Sequence, residues 1–291
     1  MQAPYKQPEP NARRSAVRSF RGDARIASGW WQPVIRPASY LGVQMRSIDD
    51  ILYFRGDISP FLAHLTKARN VAMPASRILT RIIKERRLVA GSTKVSDGRF
   101  GMYTLGLSEA ERLCFFGGIC FTETPLSEVH SLLEIAYRSV DLAPYGLVFL
   151  KDRLCAKGVS PVVYINNERG DQDLVFQALC SLANTRHDEA CKILPLLSVF
   201  GMKITPPGAV ARPAGAVDFR WEREWRYPYS AGALEFDEND VFVGLCPHDS
   251  IARYEGMFPG VGFIDPRRNM KWYATKLVEA RQRLNIKFSV V

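Results

Sequence analysis

Residues 220–227 read RWEREWRY and place two glutamates, three arginines and three large aromatic residues in eight positions. On a β-strand, residues two apart face the same side, so Glu222 and Glu224 would project together and the tryptophans would project to the other side. Neighbouring carboxylates raise each other's pKa unless cations lie close to them. The stretch therefore indicates either a carboxylate pair that faces a ligand or a structural edge strand whose glutamates pair with the adjacent arginines.

The segments around this stretch predict an α+β fold. Residues 74–91, PASRILTRIIKERRLVAG, have apolar residues near helical spacing, with Ser76 as a candidate N-cap and Gly91 beyond the end. Residues 125–140 and 171–202 also predict helices, the second broken near residues 185–188, and residues 269–285 predict a final helix. Strands are predicted at 61–68, 118–124, 145–154, 160–167, 219–229, 240–245 and 261–265. Helices come early, strands dominate late, and no regular βαβ alternation occurs, which favours a mixed or antiparallel sheet.

Composition restricts the class of protein. The chain has 291 residues, of which 47% are hydrophobic and 24% charged, and this is typical of a globular protein with a sizeable core. No phosphate-binding loop, dinucleotide-binding glycine motif, G-x-S-x-G elbow or H-E-x-x-H zinc motif occurs. Any chemistry must therefore come from dispersed residues that folding brings together.

The net charge of +9 and the pI of about 9.3 are partly explained by the N-terminus. Residues 1–28 contain six lysines and arginines against two acidic residues, and we predict that they form a flexible basic arm ahead of one domain at 29–291. Such an arm either binds DNA or RNA through counterion release or is simply a basic tail.

The six cysteines form no CxxC pair, and there are only four histidines. We predict buried free thiols, as in a reducing compartment, and no metal site. No apolar run is long enough for a membrane span and the N-terminus lacks the apolar block of a secretory signal, so we expect a cytoplasmic protein without membrane contact.

Two further spots carry polar residues inside predicted strands. His64 lies between Leu62 and Leu65, where a histidine is either a hydrogen-bonded core residue or a ligand contact. Thr122 and Thr124 alternate on one predicted face, which is also common for β-branched residues in ordinary strands.

Three phrases occur in a fixed order: CFTETPLSEVH at 120–130, YGLVFLKDRLCAKGVSPVVYINN at 145–167 and EREWR at 222–226. In this order they resemble the AbiGi-like abortive-infection proteins of bacterial phage defence, over a span from about His64 to Arg226. The arrangement is similar, more distantly, to DarT-like ADP-ribosyltransferases, which open with an H-x-T strand, continue with an aromatic-containing strand and end on a glutamate. HLT at 64–66 matches the first of these elements, and no DNA-binding loop motif of DarT-like proteins is recognisable.

The second resemblance implies a single ADP-ribosyltransferase-like domain with a split sheet flanked by helices, and NAD as the substrate. It implies that Glu224 stabilises the positive charge that develops on the ribose when nicotinamide leaves, with Glu222 orienting the acceptor. The residues implied to bind NAD are His64 and Thr66 at a ribose, Phe121 or Tyr145 stacked on the nicotinamide, Thr122 beside Phe121 in the second element, and Arg77 and Arg81 at the pyrophosphate.

Two functions therefore follow as expectations. The first is an NAD-dependent ADP-ribosyltransferase-like toxin or effector of phage defence, whose acceptor is a macromolecule such as nucleic acid. The alternative is a non-catalytic abortive-infection or antitoxin-type protein that binds nucleic acid or a partner protein. A nuclease is a third class, which the basic charge favours but which lacks clustered metal-binding carboxylates.

Overall fold

The computed structural model describes residues 58–68, 70–90, 107–134, 142–166, 178, 181–200 and 222–286. The predicted basic arm, its boundary at residue 28, and Arg220 and Trp221 lie outside these ranges. Of the described helices, none is long and apolar enough to cross a membrane.

The elements follow one another along the chain in the order of their numbers. The strands are β1 (Phe61–Lys67), β2 (Arg87–Leu88), β3 (Gly118–Thr122), β4 (Leu142–Leu150), β5 (Ser160–Pro161), β6 (Val163–Asn166), β7 (Leu197–Phe200), β8 (Glu224–Pro228), β9 (Leu234–Glu235), β10 (Val241–Leu245) and β11 (Phe263–Ile264). The α-helices are α1 (Ala75–Glu85), α2 (Glu109–Phe116), α3 (Lys151–Ala156), α4 (His187–Ile193), α5 (Ile251–Met257) and α6 (Ala274–Arg283). Short 3₁₀ helices occupy Leu126–Leu133, Leu194–Leu196, Tyr229–Ala231, His248–Ser250 and Met270–Tyr273.

Seven strands form the main sheet in the order β11-β10-β4-β1-β3-β8-β5. Neighbouring strands in this sheet run antiparallel except for the parallel pair β10 and β11. Two small sheets, β2 with β9 and β6 with β7, complete the described strands. The predicted α+β class with a mixed sheet is confirmed, whereas the ADP-ribosyltransferase-like character of the domain stays a prediction.

Strand β1 pairs with β4 along most of its length on one side, but pairs with β3 only briefly on the other. β1 and β4 pair at six positions, from Phe61 with Leu150 to Lys67 with Leu142. Among the described residues, β1 and β3 pair at one position, Ala63 with Thr122. The two halves of the sheet are therefore joined by few backbone hydrogen bonds between β1 and β3.

Strand β4 lies unusually close to β1 at Gly146. A Cβ atom at this position would lie 2.2 Å from the backbone oxygen of His64 and 3.2 Å from the Cα atom of Leu65. Only glycine allows this approach, because the obstructing atoms belong to the backbone and cannot rotate away.

The main core is built from apolar residues of the sheet and the elements packed on it. Helix α1 contributes Leu79, Ile82 and Ile83, and β4 contributes Leu147 and Phe149. A separate small core lies between α2 and α4, and its buried members are Phe115, Phe116, Ala190, Cys191, Leu194 and Leu197.

Helix α1 differs from its prediction at both ends. Its N-cap is Pro74 without a side-chain cap, so Ser76 is not the cap. The helix ends at Glu85, six residues before Gly91, and Arg86 follows with φ 52°. Arg86 lies 3.7 Å above the Phe258 ring, and Leu88 enters β2 and pairs with Leu234 of β9. These tertiary contacts end the helix earlier than the local pattern predicts.

Three other predicted elements also change type. Residues 126–133 form a 3₁₀ helix rather than an α-helix, and residues 151–154 begin α3 instead of continuing the preceding strand. Residues 197–200, which were predicted to continue a helix, form β7 and pair with β6. The break predicted near residues 185–188 is confirmed, since α4 begins at His187.

The cysteines contradict the expectation of buried free thiols. Cys114 and Cys191 form a disulfide between α2 and α4. Of the other described cysteines, Cys120 and Cys155 are exposed, whereas Cys246 is buried as predicted; Cys180 lies outside the described residues. Burial raises the pKa of the Cys246 thiol to about 12.

We predict that Gly146→Ala lowers the free energy of unfolding by about 1–3 kcal/mol, because the new methyl group forces β1 and β4 apart. The matched control is Gly256→Ala in α5, where a Cβ atom meets nothing within 4 Å. This control should be neutral or stabilise by up to about 1 kcal/mol, since alanine favours helix. Urea unfolding of both variants measures the difference, and equal stabilities would contradict the close approach.

Candidate functional site

The strongest polar contact of the sheet joins Glu224 and Arg226, which lie two residues apart on β8 and share a face. The Arg226 Nε atom donates to Glu224 Oε1 at 2.9 Å, and one terminal nitrogen donates to Oε2 at 2.8 Å. Both side chains are largely buried, at 5% exposure for Arg226 and 11% for Glu224. Burial alone lowers the Arg226 pKa, but the Glu224 carboxylate raises it above the ordinary value.

The other terminal nitrogen of Arg226 connects β8 to the segment after α4. It donates to the carbonyl oxygens of Pro195 at 2.8 Å and Leu197 at 3.1 Å. The guanidinium group therefore bridges a carboxylate on its own strand and two backbone carbonyls about 30 residues earlier in the chain. A planar, always charged group with five donors suits this combination of partners.

The two glutamates of the opening stretch do not project from one continuous strand. Arg223 has φ 46°, in the left-handed region, and β8 begins only at Glu224. The predicted alternation therefore fails at Arg223. The structural alternative was right that a glutamate pairs with an arginine, but β8 lies between β3 and β5 and the pair is buried rather than at an exposed edge.

Glu222 lies in a turn beside the end of β3 and is buried. Its carbonyl oxygen accepts a hydrogen bond from Thr122 Oγ1 at 2.6 Å. The hydroxyl groups of Thr122 and Thr124 are 2.7 Å apart, so the two threonines do face the same side, as predicted.

A buried carboxylate that the sequence analysis missed, Glu123, lies at the same end of the sheet. Its Oε1 is 2.9 Å from Lys151 Nζ, and its Oε2 accepts from Trp225 Nε1 at 3.0 Å. Arg223 Nε lies 3.5 Å from Oε2 as well. The available signal was an acidic residue between two threonines at the end of an apolar strand, but its partners are 28 to 102 residues away in the sequence.

His64 bridges the narrow junction between β1 and β3. Its Nδ1 lies 2.8 Å from the carbonyl oxygen of Cys120, and its ring centroid is 5.6 Å from that of Phe121. A carbonyl only accepts, so Nδ1 carries the proton and Nε2 the lone pair. Burial lowers the His64 pKa, although the hydrogen bond to Cys120 opposes this effect. The imidazole is therefore neutral near pH 7.

Strand register separates His64 from Glu224. Directly paired residues of antiparallel strands face the same side, so Ala63, Thr122 and Glu224 share one face. His64 pairs with Leu147 and lies, like Phe121, on the opposite face. The structure therefore brings His64 next to Phe121, but it does not place His64 and Glu224 on a common surface of the sheet.

Thr66 and Tyr145 lie together at the other end of β1. Thr66 Oγ1 is 2.9 Å from the carbonyl oxygen of Tyr145 and 3.4 Å from that of Ala75, at the start of α1. The Tyr145 ring packs edge-on against Tyr254, with centroids 6.2 Å apart. These contacts support a structural role for Thr66 and Tyr145 in docking α1 onto the sheet.

The two arginines predicted at a pyrophosphate make local contacts on the exposed side of α1. Arg77 donates to the carbonyl oxygen of Ala72 at 3.2 Å, and Arg81 Nε lies 2.6 Å from Glu85 Oε1. The structure therefore shows them as surface residues of a helix and does not join them to His64.

Residues 106–238 match the family model described as "Putative abortive phage resistance protein AbiGi, antitoxin". The AbiGi-like part of the resemblance is thus confirmed over this segment, which is less than half of the 291 residues. It contains the disulfide, the Glu123 cluster and the Glu224–Arg226 pair, and it ends before β10; His64 lies ahead of it. No curated protein and no solved structure matches the chain. A similarity to DarT-like proteins is not shown.

We predict that Arg226→Met lowers the free energy of unfolding by about 3–5 kcal/mol, because it leaves the Glu224 charge buried without its guanidinium partner. Replacing both partners in Glu224→Gln, Arg226→Met should recover part of this loss. Arg81→Met is the matched control, since the Arg81–Glu85 pair is exposed, and it should leave stability close to wild type. A small effect of Arg226→Met in urea unfolding would contradict the bridging role.

We also predict that His64 makes the folded state less stable at acidic pH. Because its folded-state pKa is lowered below 6.5, the unfolded chain takes up the proton first as the pH falls. Stability should therefore fall from about pH 6.5 downward until the folded-state pKa is passed. His64→Asn keeps a donor near the Nδ1 position but does not titrate, so its stability should fall less than that of the wild type over this range. Parallel pH profiles of the two proteins would show that His64 is not the group responsible.

Proposed function

We propose that this chain is a non-catalytic, antitoxin-type component of abortive-infection phage defence that acts by binding a protein partner. The match of residues 106–238 to a family described as an antitoxin supports the biological setting. The observation that carries the non-catalytic assignment is the buried pair of Glu224 and Arg226.

A carboxylate that stabilises a developing positive charge must face the reacting atoms with its own charge available. Both Glu224 oxygens accept from Arg226 at 2.8–2.9 Å, and the guanidinium compensates the carboxylate charge. Arg226 is in turn held by the carbonyl oxygens of Pro195 and Leu197. A scaffold role explains these contacts more directly than catalysis does.

An exposed aromatic residue offers an anchor for the partner. The Trp272 side chain is 73% exposed, and the guanidinium of Arg268 lies 5.6 Å from its ring centroid. Tryptophan and arginine are the residues that most often dominate the energy of protein interfaces. We therefore place the partner contact on the surface that carries Trp272.

The second candidate function is ADP-ribosyl transfer from NAD. Its support is the placement of β1, β3 and β8 as neighbours in the centre of the sheet, since these strands carry the three elements of the resemblance. The narrow pairing of β1 with β3 also fits the split sheet that the resemblance implies. In this candidate His64 and Phe121 contact NAD, and Glu222 or Glu224 supplies the catalytic carboxylate.

Expression in a bacterial host separates the two candidates. An antitoxin-type protein should leave growth unaffected on its own, release no nicotinamide from NAD, and protect cells that also express its toxic partner. Trp272→Ala should weaken this protection without a loss of stability, whereas Val71→Ala, at a fully exposed apolar residue, should not.

Growth arrest by the chain alone would instead favour the transferase, provided that Glu224→Gln or Glu222→Gln abolishes the arrest at an unchanged melting temperature. A thermal shift with NAD adds a binding test, because a ligand at one hundred times its Kd stabilises by about 2.7 kcal/mol.

A further inference from the structure

Helices α2 and α4 bring together three side chains with atoms that bind metals. These are Cys114 on α2 and His187 and Cys191 on α4, and their sulfur and ring nitrogen atoms lie within 4.8 Å of one another. The Nδ1 atom of His187 is 3.7 Å from the Cys191 sulfur. The family match and the proposed function assign no role to this cluster.

Helical geometry explains why the three residues converge. His187 and Cys191 are four residues apart on α4 and therefore share one face of the helix. Cys114 lies in the last turns of α2, and its Cα atom is 4.9 Å from that of Cys191. The His187 ring packs at a tilt on Phe115, with centroids 5.0 Å apart, which holds the ring towards the sulfur atoms.

We infer that, when the cysteines are reduced, Cys114, His187 and Cys191 bind a soft divalent cation, with Zn²⁺ as the best fit. Thiolate and imidazole are the preferred zinc ligands, and bond lengths of about 2.3 and 2.05 Å at a tetrahedral angle place sulfur and nitrogen about 3.6 Å apart. The observed 3.7 Å between Cys191 and His187 corresponds to this separation. A water molecule completes the fourth position.

Zinc binding by the oxidised protein takes two steps, which are reduction of the disulfide and replacement of the thiol protons by zinc. A phosphine reduces the disulfide: the phosphorus gives up two electrons and takes the oxygen of one water molecule to become a phosphine oxide, and the two protons of that water convert the two sulfur atoms into thiols. Zn²⁺ then displaces both thiol protons, so the two thiolates compensate its charge and the neutral imidazole donates its lone pair. The sulfur atoms separate in this step from bonding distance to about 3.8 Å, as two ligands on one tetrahedral zinc require.

The cluster lies where a bound metal ion would contribute to the stability of the fold. Cys191 belongs to the small core between α2 and α4, in which six of the described residues are buried. Small cores often depend on a disulfide or a structural metal for stability. The carbonyl groups of Pro195 and Leu197 that accept from Arg226 follow α4 directly. The ion would therefore stabilise the segment on which β8 is anchored.

The test uses the full chain, reduced with a phosphine and supplied with Zn²⁺ or Co²⁺. The expected result is about one equivalent of bound zinc by elemental analysis, and a cobalt complex with thiolate-to-metal absorption. Cys114→Ser and Cys191→Ser should each remove the thiolate absorption or weaken binding at least about tenfold. Cys155→Ser is the matched control, since this cysteine is exposed and free, and it should bind as the wild type does.

His187→Gln distinguishes a ligand from a folding effect, because it keeps both cysteines and can be checked for its fold in the oxidised state. It should form the disulfide normally but bind zinc at least about tenfold more weakly when reduced. The inference is overturned if the reduced wild-type protein binds no zinc, if its disulfide resists the reductant, or if His187→Gln binds zinc with unchanged affinity.

Discussion

The guanidinium group of Arg226 ties the main sheet to the segment that follows α4. It neutralises Glu224 on its own strand and donates hydrogen bonds to the carbonyl oxygens of Pro195 and Leu197. A buried ion pair is stabilising only when its geometry is good and its remaining donors are used, and both conditions hold here. Together with the hydrogen bond from Ser230 Oγ to the carbonyl oxygen of Cys191 at 2.9 Å, this side chain attaches the main sheet to the small core of α2 and α4.

The pairing of buried carboxylates with cations also affects which function the sheet can support. Polar residues at this end of the sheet form two separate groups on opposite sheet faces, with Glu224 and Arg226 on one and Trp225, which donates to Glu123, on the other. Arg226 pairs with Glu224 and Lys151 pairs with Glu123, and this matching of charges favours a stable scaffold over a reactive surface. Under the proposed function, such a rigid frame preforms the surface that binds the partner, and a preformed surface loses less entropy on association.

Local patterns predicted most of the central strands, because GICFT, GLVFL and VFVGL are apolar, β-rich runs with clear ends. They did not predict the left-handed Arg223, since nothing in the residue type signals a positive φ for arginine. They also missed Glu123, whose partners are 28 to 102 residues away, and the Cys114–Cys191 pair, whose members are 77 residues apart. Such contacts depend on the tertiary fold, and no spacing rule identifies them.

The place of β8 within the sheet has a consequence for how the chain is made. Thr122, at the end of β3, contacts Glu222, which is 100 residues later in the sequence. During synthesis, β3 therefore leaves the ribosome long before β8 does. Until β8 has been made, the edge of β3 that pairs with it has no partner strand. Exposed strand edges and distant pairings make folding slow and favour aggregation. The nascent protein should accordingly need chaperone protection during this interval, and its yield should depend on the rate of translation between the two strands.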